Sequence, residues 1–226
     1  RLNNDLLRAL GDCHFDETRL IAGIPYTMLC ENLPHLLEDM EGASTRIGAI
    51  VQDLKDFSRS AYAKWDQAFS PNEPVEAALR LLEHVIKKAT HHLQVSLSPQ
   101  LPKIRGSLQK IEQVAINLIT NACQALENPE RGLFIKTEWD KQKNEVCLVV
   151  TDEGCGIPRE NMPLLRDPFF TTKRETGGTG LGLSISDTIL KAHGGSMDIE
   201  SEVGVGTTVT LHLPVEQQEV ENEHVS

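Results

Sequence analysis

No Gly-Lys pair occurs anywhere in these 226 residues, and no G-x-G-x-x-G is present. The first absence excludes a P-loop, which needs lysine and a hydroxyl residue directly after glycine; the second excludes the dinucleotide fingerprint. Cysteines are few: Cys13, Cys30, Cys123, Cys147 and Cys155 form no C-x-x-C and leave an odd count. That excludes a disulfide framework and a zinc site, and fits buried or incidental thiols in a reducing, cytoplasmic compartment. Basic charge is also scarce. A net charge of −11 argues against a nucleic-acid surface and against contact with an anionic membrane. No apolar run approaches membrane-spanning length, and no signal peptide is visible. The sequence opens on Arg1, so it is expected to be a piece of a longer protein, with a membrane anchor in that parent left open. There is no internal repeat. The pair His91–His92 has no carboxylate or cysteine at ligand spacing and reads as a solvated helix end.

What is present is an ordinary globular composition, 39% hydrophobic and 24% charged, with room for one good-sized domain and an appendage, or for two modest domains. Leu33, Leu37, Met40, Ser44, Ile47, Val51, Leu54, Ser58 and Ala61 alternate steps of four and three, with Leu36, Ile50 and Phe57 widening the stripe. This is a helix-bundle seam over residues 31–66, about 50 Å long, which needs a partner helix to bury it. Residues 1–30 read as a short helix, a loop around "GDCHFDE" and a second short helix near "GIPYTML". "FSPNEP" at 69–74 breaks the pattern and marks a boundary. Beyond it come an amphipathic helix over about 75–91, a strand "QVSLS", and a helix over 107–127 opened by Ser107. The strands "GLFIKTEWD" and "EVCLVVTDEG" follow, then a helix over 181–193 stopped by "GG", and a hairpin over 196–214. Helices mixed with antiparallel strands predict an α+β fold, a two-layer sandwich over 69–214. It is preceded by a helical region at 1–68 in which residues 1–30 read as an inserted segment, and the acidic tail 215–226 is expected to be disordered.

Four features inside that domain carry chemistry. Gly177, Gly178, Gly180 and Gly182 crowd just ahead of a helix. Glycines let a ligand approach the backbone, and a helix N-terminus offers N–H donors and a positive dipole end, so the expected guest is an anion such as phosphate. Asn117 and Asn121 stand four apart on an otherwise apolar helix face, where an unpaired buried amide costs about 1–3 kcal/mol. An amide oxygen also suits Mg²⁺. Asp152 ends an apolar strand, with Gly154 and Gly156 just beyond, and suits an adenine amino group. Phe169 and Phe170, then Thr171, Thr172 and Lys173, describe a flap packed at its root and reaching phosphates at its tip.

In order, N-x-x-x-N-A, D-x-G-x-G, P-F-F-T-T-K and G-T-G-L-G-L resemble the asparagine, first glycine, phenylalanine and second glycine boxes of sensor histidine kinases. These belong to the GHKL ATPase superfamily with its Bergerat-type fold. "RIGAIVQDLKDFSR" at 46–59 is similar to the second helix of their dimerisation and phosphotransfer hairpin. The resemblance implies ATP and Mg²⁺ as cofactors, with Asn121 as metal ligand and Asn117 supporting metal and phosphates. It implies that Asp152 recognises adenine over a floor shaped by Gly154 and Gly156, with Thr208 near the ring. Phe170, Thr171, Thr172 and Lys173 would form the ATP lid. The stretch Gly178, Thr179, Gly180, Leu181 and Gly182 would hand the polyphosphate to the following helix. It also implies a homodimer through the hairpin and a response-regulator receiver domain as partner.

Two departures stand out. Many relatives carry a basic residue three positions after the second asparagine, where this chain has Gln124, which shifts phosphate contacts to Lys173, Arg174 or Mg²⁺. The family's histidine box, approximately H-E-x-x-x-P, matches neither His14 nor His35, so the phosphoacceptor is expected before Arg1. Three readings compete: a histidine kinase portion, a GHKL ATPase that hydrolyses ATP, and a degenerate kinase serving as a dimerising module. The ATPases use a glutamate one turn before the metal-binding asparagine as base for water, a place taken here by Asn117, which accepts no proton at neutral pH.

Overall fold

The computed structural model describes residues 20–21, 24–25, 28, 31–37, 40–44, 48, 67–173 and 178–215. The chain divides into two compact units, Arg1–Gln52 and Asp53–Ser226.

In the first unit, β1 (Leu20–Ile21) pairs antiparallel with β2 (Ile24–Pro25), Ile21 opposite Ile24. Within "GIPYTML", where a short helix is expected, Ile24–Pro25 are strand and Met28 is helical, its carbonyl accepting from Asn32 Nδ2 at 2.7 Å. Residues 31–37 and 40–44 are helical, as the seam predicts, and His35 lies within that helix. The seam positions Ile47, Val51, Leu54, Ser58 and Ala61 lie outside the described residues, as do His14, Arg174 and the tail from 216 onward.

In the second unit, β3 (Gln67–Phe69) pairs antiparallel with β5 (Ile104–Gly106). Neither was expected from sequence. Three residues are too few to show a period, and β3 straddles the expected boundary at "FSPNEP". The main sheet runs in the order β4 (His92–Leu97), β6 (Gly132–Asp140), β7 (Glu145–Asp152), β9 (Gly206–Pro214), β8 (Ser196–Glu202). All pairs are antiparallel except β4 with β6, which is parallel. A parallel neighbour requires a crossover, and the chain between them supplies one through a helix. The helices are α1 (Asn72–Leu81), α2 (Glu83–Ala89), α3 (Leu108–Ala125) and α4 (Gly182–Ala192). The expected helix over 75–91 is thus two, broken at Leu82, and His92 opens a strand instead of ending a helix. His92 Nε2 lies 3.3 Å from Glu130 Oε2. Among the described residues no helix is long and apolar enough to cross a membrane.

Period decides which face each element buries. Ile111, Val114, Ala115, Leu118, Ile119 and Ala122 form the buried stripe of α3. They meet Leu133 and Ile135 of β6, Val146, Leu148 and Val150 of β7, and Leu211 and Leu213 of β9 in one core. Each strand shows its alternate side chains to the helices. Ser107 caps α3 as expected, its side chain accepting from Lys110 N, an arrangement worth about 1 kcal/mol. Cys123 and Cys147 are buried and Cys155 is exposed, all three free. Burial pushes the Cys123 thiol up to about 11, so it stays protonated.

One histidine is structural. His193, buried just after α4, donates from Nδ1 to Ile189 O at 2.7 Å and accepts at Nε2 from Ser107 N–H at 2.9 Å. It ties the start of α3 to the end of α4. Burial lowers its pKa, which suits a ring whose Nε2 has to remain an acceptor.

Candidate functional site

The helix α3 crosses the sheet next to α4, and their meeting edges carry the polar atoms of the site. Asn117 faces both Gly182 and Ser186, one turn apart on α4. Its Nδ2 donates to Ser186 Oγ at 2.9 Å, and its Oδ1 accepts from Asn121 Nδ2 at 3.4 Å. A Cβ on Gly182 would overlap Asn117 Oδ1, so only glycine lets the first turn of α4 lie this close. The asparagine pair is therefore an oriented pair. Ser186, only 1% exposed, fixes which way the Asn117 amide points, and the Asn121 oxygen is left as a carbonyl acceptor. Sequence reading passed over Ser186. Its signal is the Gly182/Ser186 spacing of four, which matches the Asn117/Asn121 spacing on the facing helix.

Asp152 ends β7 on the helix-facing side of the sheet and is 6% exposed. Its Oδ1 accepts from Gly154 N at 2.9 Å, and the Thr207 N–H also supports it. Burial pushes the carboxyl above the ordinary range, while these donors and Lys173 pull it back. The loop after it is stitched at both ends. Cys155 N donates to Ala125 O, closing the end of α3, and Gly204 N donates to Cys155 O from the β8–β9 turn. Gly154 and Gly156 thereby lie against protein backbone on both sides, bringing Asp152 up to α3.

Thr208 does not join this group. The register sets Thr207 opposite Asp152 and Thr208 opposite Thr151. Alternation sends Thr151 and Thr208 to the outer face, where their hydroxyls pair at 3.0 Å. Thr207, buried and bonded to Ser201 Oγ at 2.9 Å, is the threonine beside the aspartate.

The phenylalanine and second glycine segments fold against each other. Phe169 N donates to Gly180 O at 2.9 Å, and Gly178 N donates to Lys173 O at 2.9 Å. Gly180 has φ +70°, and a Cβ there would stand 2.5 Å from Phe169 C. Both facts demand glycine. Phe169 itself has φ +68° and is 56% exposed, while Phe170 is half-buried. Thr171 Oγ1 accepts from Lys173 N at 3.0 Å, Thr172 is exposed, and Thr179 Oγ1 accepts from Leu181 N at 3.3 Å. Leu181, buried, leads into α4. The Lys173 ammonium reaches inward to Asn121 O at 3.5 Å. Burial lowers its pKa, and Cys155 and Asp152 raise it again. Asn121 thus meets Asn117 through its side chain and Lys173 through its carbonyl, and Lys173 lies within electrostatic reach of Asp152. Gln124 is exposed on α3.

The family described as "Histidine kinase-, DNA gyrase B-, and HSP90-like ATPase" matches residues 106–217. Over 172 residues the chain is 35% identical to the signal transduction histidine-protein kinase AtoS of Escherichia coli (strain K12), covering 76% of this chain and 28% of AtoS. Over 180 residues it is 31% identical to the sensor histidine kinase ZraS of the same organism, covering 80% of this chain and 37% of ZraS. The chain thus spans only the smaller part of these relatives. Among solved structures, the catalytic domain of histidine kinase ThkA is 30% identical with a TM-score of 0.58, the match covering 66% of this chain and 95% of that domain. The packed unit extends upstream of the family match, since β3 and α1 precede it. The chain belongs to the histidine kinase-, DNA gyrase B- and HSP90-like ATPase family, among the ATP-binding catalytic domains of sensor histidine kinases.

Proposed function

We propose that this chain binds Mg-ATP between α3, Asp152 and the loop that ends at α4. Its γ-phosphoryl group is delivered to the imidazole of a histidine on a helical hairpin, and from there to an aspartate of a response-regulator receiver domain. The carrying observation is the oriented amide pair Asn117–Asn121, held by Ser186 beside a buried aspartate and an inward-turned lysine. In this reading Asp152 accepts from the adenine amino group, and Lys173 meets the phosphates together with the backbone of Gly178, Gly180 and Gly182. The residues fit a magnesium ion that arrives with the nucleotide. Asn121 offers a hard amide oxygen, and among the described residues no three His, Cys, Asp or Glu side chains are grouped to hold a metal by themselves. When bound, the ion supplies charge neutralisation for the phosphates.

Hydrolysis by water is the weaker reading. Asn117 accepts no proton, and its amide is already committed to Ser186 and Asn121. In the leading reading residues 1–66 belong to the hairpin region, the ATP-binding domain runs to 214 and reaches back to Gln67 through β3, two residues upstream of the boundary expected from sequence, and 215–226 is its acidic tail. Leu36 and Met40 of the seam are 55% and 62% exposed, which supports a homodimer through that helix. Sedimentation at rising concentration is expected to show dimers; a chain that stays monomeric at its solubility limit overturns this part.

Calorimetry tests the site. ATP is expected to bind more tightly with Mg²⁺ than without. Asn121→Ala should lose about tenfold in affinity with Mg²⁺ present and little in EDTA, consistent with removal of one ligand. A variant with an unchanged response to Mg²⁺ removes Asn121 from the metal.

A further inference from the structure

Three residues before Phe169, the chain carries a cation that no box motif uses. Arg166 follows the 3₁₀ turn Met162–Leu164 and reaches in two directions. Its Nη2 donates to the Met197 carbonyl of the edge strand β8, and its Nε faces Asp187 Oδ1 at 3.9 Å. Asp187 lies on α4, its side chain only 13% exposed, and Lys191 holds its other oxygen at 2.6 Å one turn later. The carboxylate is thus fixed between two cations, one from its own helix and one from the root of the phenylalanine loop. Asp187 also directly follows Ser186, the residue that orients Asn117.

Two contacts therefore join the loop root to the segment carrying the phosphate-side residues. One is the backbone bond from Phe169 N to Gly180 O. The other is Arg166 to Asp187. A partly exposed ion pair by itself contributes little, about 0–1 kcal/mol. This one differs because the guanidinium also takes a backbone carbonyl, and because the carboxylate it meets sits on the buried side of the same helical turn as Ser186. The planar fork serves both partners at once, which an ammonium does not.

We infer that Arg166 is a positioning residue for nucleotide binding: through Asp187 and the Met197 carbonyl it fixes the root of the phenylalanine loop to the turn of α4 that orients Asn117. This rests on ATP being the ligand of the site. Arg166 touches neither Asn117 nor Asn121, and it acts by setting where Phe169, Phe170 and Lys173 stand relative to them. Arg166 and Asp187 form one link, so replacing either one breaks it, and replacing both breaks it only once.

The test uses the whole chain with Arg166→Met, Arg166→Lys, Asp187→Asn and the double variant Arg166→Met/Asp187→Asn. Calorimetry gives the Kd for Mg-ATP, and trypsin cleavage after Lys173, followed by mass in nucleotide-free protein, reports how firmly the loop is held. Arg166→Met is expected to raise Kd about fivefold and to speed cleavage by a similar factor. Arg166→Lys should recover part of both, and the double variant should lose no more than the worse single one. A lowered thermal midpoint with unchanged Kd and unchanged cleavage makes Arg166 merely structural and overturns the inference. So does additivity of the two single losses. If the unsubstituted chain itself binds no ATP, the ATP reading falls and this inference with it. If the unsubstituted chain binds and Arg166→Met binds equally well, only this inference falls.

Discussion

Replacing Asp152 with Ala is expected to weaken Mg-ATP binding by about 100-fold, enough to remove it from an ordinary calorimetric titration. The carboxylate is almost fully buried at the end of β7, where water does not compete for its lone pairs. A hydrogen bond to such a charged acceptor contributes about 1.5–3 kcal/mol, and the alanine variant would also leave the adenine amino group desolvated and unpaired. Asp152→Asn should fail nearly as badly, since an amide NH₂ can be turned toward the purine donor. The fold should survive both changes. Alanine removes the acceptor for the Gly154 and Thr207 N–H groups, but it also removes a carboxylate that burial penalises. Wild-type affinity in Asp152→Ala would take the adenine away from this residue.

The same carboxyl gives binding and stability opposite pH dependences. Because burial raises its pKa, a proton occupies it at a higher pH than an ordinary aspartate, near 4, would allow. The protonated acid is a poorer acceptor for an amino group, so ATP affinity should start to fall above the usual carboxylate range as pH is lowered. For stability the raised pKa means that the folded state holds the proton more tightly than the unfolded one. The contribution of Asp152 is then complete below the unfolded pKa and is lost as pH rises through the folded pKa.

The parts of the fold that are legible in the sequence are those long enough to display a period. The helix α3 shows its buried stripe, its capping serine and its paired asparagines in one stretch. The strands β6 and β7 declare themselves by short apolar runs, Leu133–Ile135 and Val146–Val150, on either side of a polar turn. The three-residue β3 and β5 are too short for their alternation to stand out from chance, and their pairing is made by residues 35 or more positions apart. The parallel joining of β4 to β6 depends on where α3 carries the chain, which no local pattern records. The error at Thr208 has the same origin. Strand β9 contains two adjacent threonines, and which of them faces Asp152 is set by register with β7, where a shift of one residue exchanges the faces. The boxes themselves are legible because each is a contiguous stretch of sequence. Ser186 and Arg166 are not, because each acquires its role from an element distant in sequence, Ser186 from α3 and Arg166 from β8 and α4.

Incubated with γ-labelled ATP, this chain is expected to bind the nucleotide yet to acquire no stable label of its own, while labelling a supplied helical hairpin that carries a histidine box. Phosphoryl transfer depends chiefly on holding the nucleophile in line with the γ-phosphate, an advantage of many powers of ten over chance encounter. The bond from γ-phosphorus to the bridging oxygen of ADP breaks as the bond to an imidazole nitrogen forms, so that nitrogen has to be presented at the site. Among the described residues, His193 is buried and bonded on both ring nitrogens, and His212 is held on the sheet by Glu145 and Asp198. His91 and His92 stand at the start of the edge strand β4, two strands across from Asp152, beside Pro129 and Glu130. None of them stands in a histidine-box sequence, and neither does His14 or His35. Water has no base to activate it at Asn117, so ADP release in the absence of acceptor should be slow, and addition of the acceptor should raise it in step with the acid-labile, base-stable label. Label on His14 or His35 would show that residues 1–45 contain the acceptor after all. Rapid ADP release with no acceptor present would instead favour hydrolysis, and would require a proton acceptor other than Asn117 at the γ-phosphate.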